Sequence, residues 1–415
     1  MSEPGSSPDE RGVNQNGDPG GKLSVSGSTH TPAESPETRL LSAFKTDGHA
    51  RKVYLAGREY YSEEGKTFVL RLVGKIKQQL SSDPTLRPEY PPSLGLTEFT
   101  RRATEAALGR SSHAVMENRV FGVQTPGFTA AVRLGAELLK HCFDDSATWC
   151  GPVYLSSPCD DSLAGIFQAA GIQDIRKYYY WDDRRRGVCL EKLLQDLERA
   201  PEQSVVVLSA SGHYPTGADL SQHQWSVITQ LITRRRLFPF LLLPAQALCY
   251  GDLERDGWPV QYCASQGMEL LCAQSFSHCF GLYGEAVGHL LCVSKQSSLR
   301  LSVQSQADKT VRSLWAEPSA QGAACCRHSA LQPGPSGRMG GRREAHCGEM
   351  HADQIHPERK AEAFGDSRVL GPPDAAAWTL LLYGLEWSTG RISVNMETHL
   401  SAPRRLSKHQ CNQRS

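Results

Sequence analysis

Apolar positions in this chain fall into two recurring patterns. In KTFVLRLVGKIKQQL (66–80), Phe68, Leu72, Ile76 and Leu80 stand four apart, the spacing of one face of a helix. TAAVRLGAELLKHCF (129–143) reads as a second amphipathic helix. Between such stretches lie short apolar runs of strand length: GPVYL (151–155), SVVVLSA (204–210), FPFLLL (238–243), MELLCAQ (268–274) and HLLCV (289–293). Several lack polar–apolar alternation, as strands covered on both faces do. Helices and buried strands taking turns predict an α/β fold with a mostly parallel sheet flanked by helices. Ligands of such sheets sit at the carboxyl ends of the strands, so the segments following these runs are where a site is expected.

Two stretches break the pattern. Residues 1–40 are rich in Ser, Gly, Pro and Glu and nearly devoid of aliphatics, so they cannot bury enough surface to offset the entropy of ordering; a disordered tail is expected. After about Ala324, RHSALQPGPSGRMGGRREAHCGEMHADQIHPERK shows little periodicity, with order expected to resume near AAAWTLLLYGLEW (375–387).

Composition narrows the class. The 415 residues are 39% hydrophobic and 21% charged, enough apolar material for a large core. A net charge of +1 argues against a nucleic-acid binder, which normally carries a basic surplus. No apolar run reaches the ~18 residues needed to span a bilayer; the best, Leu237 to Leu248, is broken by Pro239 and Pro244. The N-terminal MSEPGSSPDERG carries acids and no apolar core, unlike a secretory or mitochondrial signal. The 13 cysteines are scattered through apolar segments without a CxxC pair, which suits buried thiols in a reducing compartment. A soluble cytoplasmic protein with no membrane partner is expected.

Four motifs carry candidate chemistry, and each has a plain reading beside it. His213-Tyr214-Pro215-Thr216-Gly217 follows a predicted strand and reads equally as an exit turn. Gln124 to Thr129 opens a helix, as an anion site or as simple capping. Ser275-Phe276-Ser277-His278 places hydroxyls and an imidazole at a strand's exit, for chemistry or for structure. His346, Cys347, His351 and His356 match no closed zinc pattern, so no metal is expected.

The order of segments says more than any one of them. PEYPPSLGL (88–96), ENRVFGVQT (117–125), GPVYLSSP (151–158), GIQDIRKYYYWD (171–182), HYPTG (213–217), SQGMELLCAQSFS (265–277), FGLYGEAVG (280–288) and LWAEPSAQGA (314–323) fall in register with one family. From about Arg51 to Ala323 the chain resembles, in a divergent form, the cytosolic-type aspartate aminotransferases, fold-type I enzymes that use pyridoxal phosphate. The resemblance implies a large domain over 86–325, an N-terminal segment 41–85 that contributes to a small α/β domain, and a divergent C-terminal remnant of that domain over 326–415. It implies amino-group transfer between aspartate and 2-oxoglutarate, and a homodimer.

The same register shows what the chain lacks. The lysine that forms the internal aldimine falls at His278, and imidazole has no primary amine with which to make one. The acid that holds the pyridinium proton falls at Leu242, and the hydroxyl near the ring oxygen at Ala245. The turn asparagine falls at Tyr214, the phosphate-clamping arginine at Ala286, and the stacking tryptophan at Asp160. A glycine of the phosphate cup becomes Phe128, while Gly127, Thr129 and Ser275 remain. Hydrogen bonds to charged groups are worth roughly 1.5–3 kcal/mol each, so losing the arginine and aspartate contacts alone removes about 3–6 kcal/mol, or two to four decades of cofactor affinity. No covalent linkage to pyridoxal phosphate and no transamination are expected. Tyr90 and Arg312 match the two residues that the family sends across its dimer, to the neighbour's phosphate and to the substrate's distal carboxylate. They leave open a second arrangement, a heterodimer that completes an active partner's site; a third is an active enzyme with altered pyridoxal phosphate chemistry, in which His278 shuttles a proton. Arg391, in GRISV (390–394), resembles the arginine that binds the substrate's α-carboxylate.

Overall fold

The computed structural model describes residues 36–49, 71–84, 89–142 and 151–328, together with 52, 54, 57, 59, 67 and 149. The readings placed at 1–35 and beyond 328, including Arg391, the order near 375–387 and the His/Cys group at 346–356, lie outside the described residues. Contacts divide the chain into two units, Met1–Ala56 and Gly57–Ser415. The segment 41–85 is therefore shared between them.

The first unit holds helix α1 (Pro36–Thr46), which starts within the stretch read as a tail. The Lys52 ammonium donates to the carbonyls of Phe44 and Asp47 at 2.8 and 2.7 Å. It also lies 4.6 Å from the Phe44 ring centre, so one lysine caps the helix end and covers an aromatic face.

The second unit is built in the order α2 (Arg71–Ser82), α3 (Thr97–Leu108), α4 (His113–Met116), β1 (Val120–Pro126), α5 (Phe128–Cys142), β2 (Val153–Ser157), α6 (Asp161–Ala169) and β3 (Ile175–Tyr179). A small hairpin, β4 (Trp181–Asp182) and β5 (Gly187–Val188), precedes α7 (Leu190–Glu198), β6 (Val205–Ser209), α8 (Gln222–Arg234), β7 (Phe238–Leu243) and α9 (Leu253–Ser265). The described part ends with β8 (Leu270–Ser275), α10 (Ser277–Phe280), β9 (Val287–Val293), α11 (Ser297–Leu314) and α12 (Ala320–His328).

Seven strands form one sheet in the order β1-β9-β8-β7-β6-β2-β3. Pairing is parallel from β3 through β8, and β9 runs antiparallel to both its neighbours. The unalternating runs have a simple cause: both faces are covered. Val206, Leu208, Leu241 and Leu243 point into a cluster with Leu193 and Leu197 of α7, Trp225 and Ile228 of α8, and Val260 of α9. Val205, Val207, Phe240 and Leu242 point the other way, toward Leu134 and Leu138 of α5, Phe167 of α6 and Val311 of α11. A third cluster joins Val73 and Ile76 of α2 to Phe99 of α3, Phe276 and Phe280 around α10, and Cys325 and Cys326 of α12. Among the described residues no helix is long and apolar enough to cross a membrane, and nine cysteines between Cys159 and Cys326 are free thiols.

Candidate active site

The parallel strands β2, β6, β7 and β8, together with the end of β1, deliver their exit loops to one edge of the sheet, and Gly127, Phe128, Asp160, Tyr214, Ala245 and His278 follow these strands. At the exit of β1, Gly127 has φ +89°, a backbone that side-chain-bearing residues rarely adopt. A side chain there would touch Ala286 Cβ at 3.6 Å, and one at Gly288 would overlap the Gly127 carbonyl. The backbone of the cup is thus tightly closed between β1 and β9. Ala286, where the resemblance places a phosphate-binding arginine, stands against that cup and offers it a methyl group. Phe128 opens α5 half-buried against the apolar cluster that holds Leu242, and Thr129 is exposed beside it. Ser275 ends β8 and is buried, its hydroxyl accepting from the Ser277 amide at 3.3 Å.

At the exit of β2, Asp160 acts as N-cap of α6, its carboxylate accepting from the Ser162 amide at 2.8 Å. The side chain at the position where the resemblance places a ring-stacking tryptophan therefore holds a helix end. On β7, Leu242 is 6% exposed and pairs across the sheet with Ser209 and Ala273. Ala245 follows in the turn, where its carbonyl accepts the Leu248 amide at 3.1 Å. His278 lies in the single turn of α10, with its ring edge-on to Tyr283 at 5.7 Å.

The exit of β6 is organised by a group of which the sequence marks only the His213–Gly217 turn. His213 is buried, its Nδ1 2.8 Å from Thr216 Oγ1 and its Nε2 2.9 Å from Ser156 Oγ, and its ring stacks on Tyr180 at 3.8 Å. Burial lowers its pKa to about 3, so it is a neutral ring that donates from one nitrogen and accepts at the other. Asp219 accepts the Gly212 and His213 amides, each at 3.0 Å, and the Tyr250 hydroxyl at 3.1 Å. Burial still pushes its carboxyl above the usual range, against the pull of those donors. Asp256 accepts the amides of Cys249 and Tyr250 at 3.2 Å, and burial raises it further, to about 8. These groups shape the turns around Tyr214 and Ala245. Tyr214 itself is 39% exposed.

Gln274 and His289 form a second buried arrangement. His289 Nδ1 lies 2.8 Å from Gln274 Oε1; Gln274 Nε2 donates to Gln246 at 3.2 Å, and Gln246 to the carbonyls of Ala106 and Leu253 at 2.7 and 2.9 Å. Nothing within a short window of sequence marks these partners.

Tyr90 is 88% exposed. Arg312 is also exposed, with its Nε donating to Asp308 at 3.0 Å within α11. Ser93 donates to the same carboxylate, tying the loop that carries Tyr90 to the helix that carries Arg312. Among the described residues no group of three His, Cys, Asp or Glu is placed to hold a metal.

A pyridoxal phosphate site needs a primary amine, an acid for the ring nitrogen and a cation for the phosphate. At the positions expected to supply them stand an imidazole, a leucine built into the core and a methyl group. The residues present do not fit the group as its enzymes hold it.

Comparison with known proteins agrees with the fold. The family model for aminotransferase class I and II matches residues 50–336. The cytoplasmic aspartate aminotransferase of Gallus gallus is 44% identical over 285 residues, 69% of each chain. The mitochondrial aspartate aminotransferase of Xenopus tropicalis is 34% identical over 298 residues, 72% of this chain and 68% of its own. An aromatic-amino-acid aminotransferase from Burkholderia pseudomallei, solved covalently bound to pyridoxal phosphate, superimposes with a TM-score of 0.75 at 27% identity, covering 86% of both chains. On sequence, over most of its folded length, and on architecture, this chain belongs to the aspartate aminotransferase family, whose cofactor is pyridoxal phosphate.

Proposed function

We propose that this chain is an aspartate aminotransferase-like protein that has kept the family's fold and lost its transamination, a cytoplasmic pseudoenzyme of amino-acid metabolism. One observation carries the reading. Leu242 is a core side chain, 6% exposed in a cluster with Val207, Phe240 and Ala273, so the place of the ring-nitrogen acid has been given over to packing. His278 supports it, since an imidazole cannot supply the imine nitrogen.

The test is intact mass after incubation with pyridoxal phosphate and borohydride reduction, with peptide mapping of any adduct. Labelling restricted to scattered surface lysines is expected. A single stoichiometric adduct at the strand exits overturns the reading.

The exposure of Tyr90 favours a second reading of what the fold now does, as a subunit in a homodimer or in a heterodimer with an active aspartate aminotransferase. A phenol 88% exposed on a loop pinned by Ser93 and Asp308 supports that reading, being free to meet a second subunit. Native mass spectrometry of the tagged protein mixed with an active enzyme distinguishes the two. Mixed dimers support the heterodimer, exclusive self-association supports the homodimer, and a monomer at micromolar concentration refutes both.

A further inference from the structure

The molecule carries two runs of three arginines, and the structure treats them differently. Arg234, Arg235 and Arg236 close α8 and are balanced where they stand. Arg234 pairs with Glu198, Arg236 with Glu202 at 3.3 Å, and Arg235 donates to the Ala200 carbonyl at 2.9 Å. Arg184, Arg185 and Arg186 form the tip of the β4–β5 hairpin, all three exposed, Arg185 by 81%.

The two carboxylates of that hairpin are engaged in shaping it. Asp182 Oδ1 accepts the amides of Arg184 and Arg185 at 2.9 and 3.2 Å, and Asp183 accepts the Trp181 indole N–H at 2.8 Å. Arg186 holds φ +48°, which turns the chain back into β5. Asp182 stands 4.0 Å from the Arg185 guanidinium, the outer limit of an ion pair. Lys192, on the first turns of α7, acts electrostatically on the same Asp182 and is also exposed. The result is a short, pre-shaped projection following the edge strand β3 with three exposed arginines, beside which the Lys192 ammonium lies over the Tyr179 ring at 4.2 Å.

We infer that this hairpin tip is a docking site for an acidic linear segment, rich in Asp and Glu, of a partner protein. Guanidinium groups bind carboxylates with two parallel hydrogen bonds, and a tip already fixed by its own turn loses little entropy in doing so. The extent of the patch selects a peptide over a polyanion. A nucleic acid or an anionic membrane requires a long basic stripe or a larger basic cluster, whereas here three arginines and one lysine stand beside two carboxylates, the second arginine run is neutralised, and the whole chain carries +1. The inference is independent of whether the family's chemistry survives.

Fluorescence anisotropy of the full-length protein with a fluorescein-labelled Asp/Glu-rich peptide tests it. Binding that weakens steeply with salt is expected, at least tenfold weaker in Arg184→Glu/Arg185→Glu and unchanged in Arg234→Ala/Arg236→Ala. Arg184→Ala/Arg185→Ala, which removes charge without adding repulsion, checks that the loss is local and leaves the melting midpoint in place. Absence of binding at low salt, equal binding by the hairpin variants, or tighter binding of single-stranded RNA or phosphatidylserine vesicles than of the peptide overturns the inference.

Discussion

At position 242, where the resemblance places the family's ring-nitrogen acid, the leucine packs with Val207, Phe240 and Ala273 in an apolar cluster. An aspartate introduced there is therefore buried among apolar side chains. Leu242→Asp is expected to cost about 3 kcal/mol or more, the loss of a packed leucine plus an unpaired buried acid. Urea unfolding with an unchanged m-value measures it. The same reasoning makes His278→Lys nearly neutral for stability, because the side chain lies on a one-turn helix at the strand exits and not within a sheet face. Borohydride reduction of that variant with pyridoxal phosphate is expected to trap only a substoichiometric fraction of the imine as a secondary amine at that position, since Ala286 and Leu242 offer the cofactor neither a phosphate cation nor a ring acid.

Among the elements, Asp160 makes the parallel point for a helix. Its carboxylate caps α6, so Asp160→Ala is expected to cost about 1 kcal/mol, and Asp160→Trp, though it restores the family's ring, loses the same cap. Thermal midpoints of the two variants should fall together. How much of this was legible beforehand follows from burial. β2, β6, β7, β8 and β9 appear in the sequence as apolar runs because helices cover both sides of the sheet there. β3 does not, because it lies at the sheet's edge and carries exposed Arg176 and Lys177 among its tyrosines. β1, at the other edge, is interrupted by Gly122, beneath which His289 lies, and by Gln124, whose side chain reaches the Leu96 amide and the Ser319 carbonyl. The readings at 242, 245, 278 and 286 rest only on register against a family, since no local pattern sets Leu242 apart from any other strand leucine. The His213–Ser156 contact spans 57 residues and the Gln274–Gln246 contact 28, beyond any window in which periodicity operates.

For the molecule as a whole, the buried ionisable groups set a direction for stability against pH. His213 and His289 are held near pKa 3 by burial, below the ~6.5 of an unfolded histidine. Between those values the unfolded chain binds more protons, so these two groups lower stability as pH falls below about 6.5. Asp256 behaves oppositely. Its carboxyl is raised to about 8, above the ~3.9 of an unfolded aspartate, so the folded state holds a proton that the unfolded state has released. Its contribution is fully present below pH 4 and is lost as pH rises through 8. Above about 6.5 the histidines are neutral in both states and cease to contribute, which leaves the Asp256 trend; burial shifts Asp219 in the same direction. Beyond pH 8.5 the buried thiols add to it. Cys263 is pushed up to about 12 and Cys249 and Cys326 well above their usual range, so each stays protonated in the folded state while the unfolded thiol ionises. Stability should therefore decline from pH 6.5 upward without a plateau, by about 1–2 kcal/mol in reaching pH 8 if Asp256 supplies most of one proton. Asp256→Asn separates the contributions. In urea midpoints measured from pH 6 to 9.5, it should flatten the stretch between 6.5 and 8 and leave the steeper thiol-driven fall above 8.5. A wild-type profile that is flat between pH 6.5 and 8 would mean that Asp256 is ionised in the fold as it is in the unfolded chain, its backbone donors at Cys249, Ala247 and Tyr250 outweighing burial.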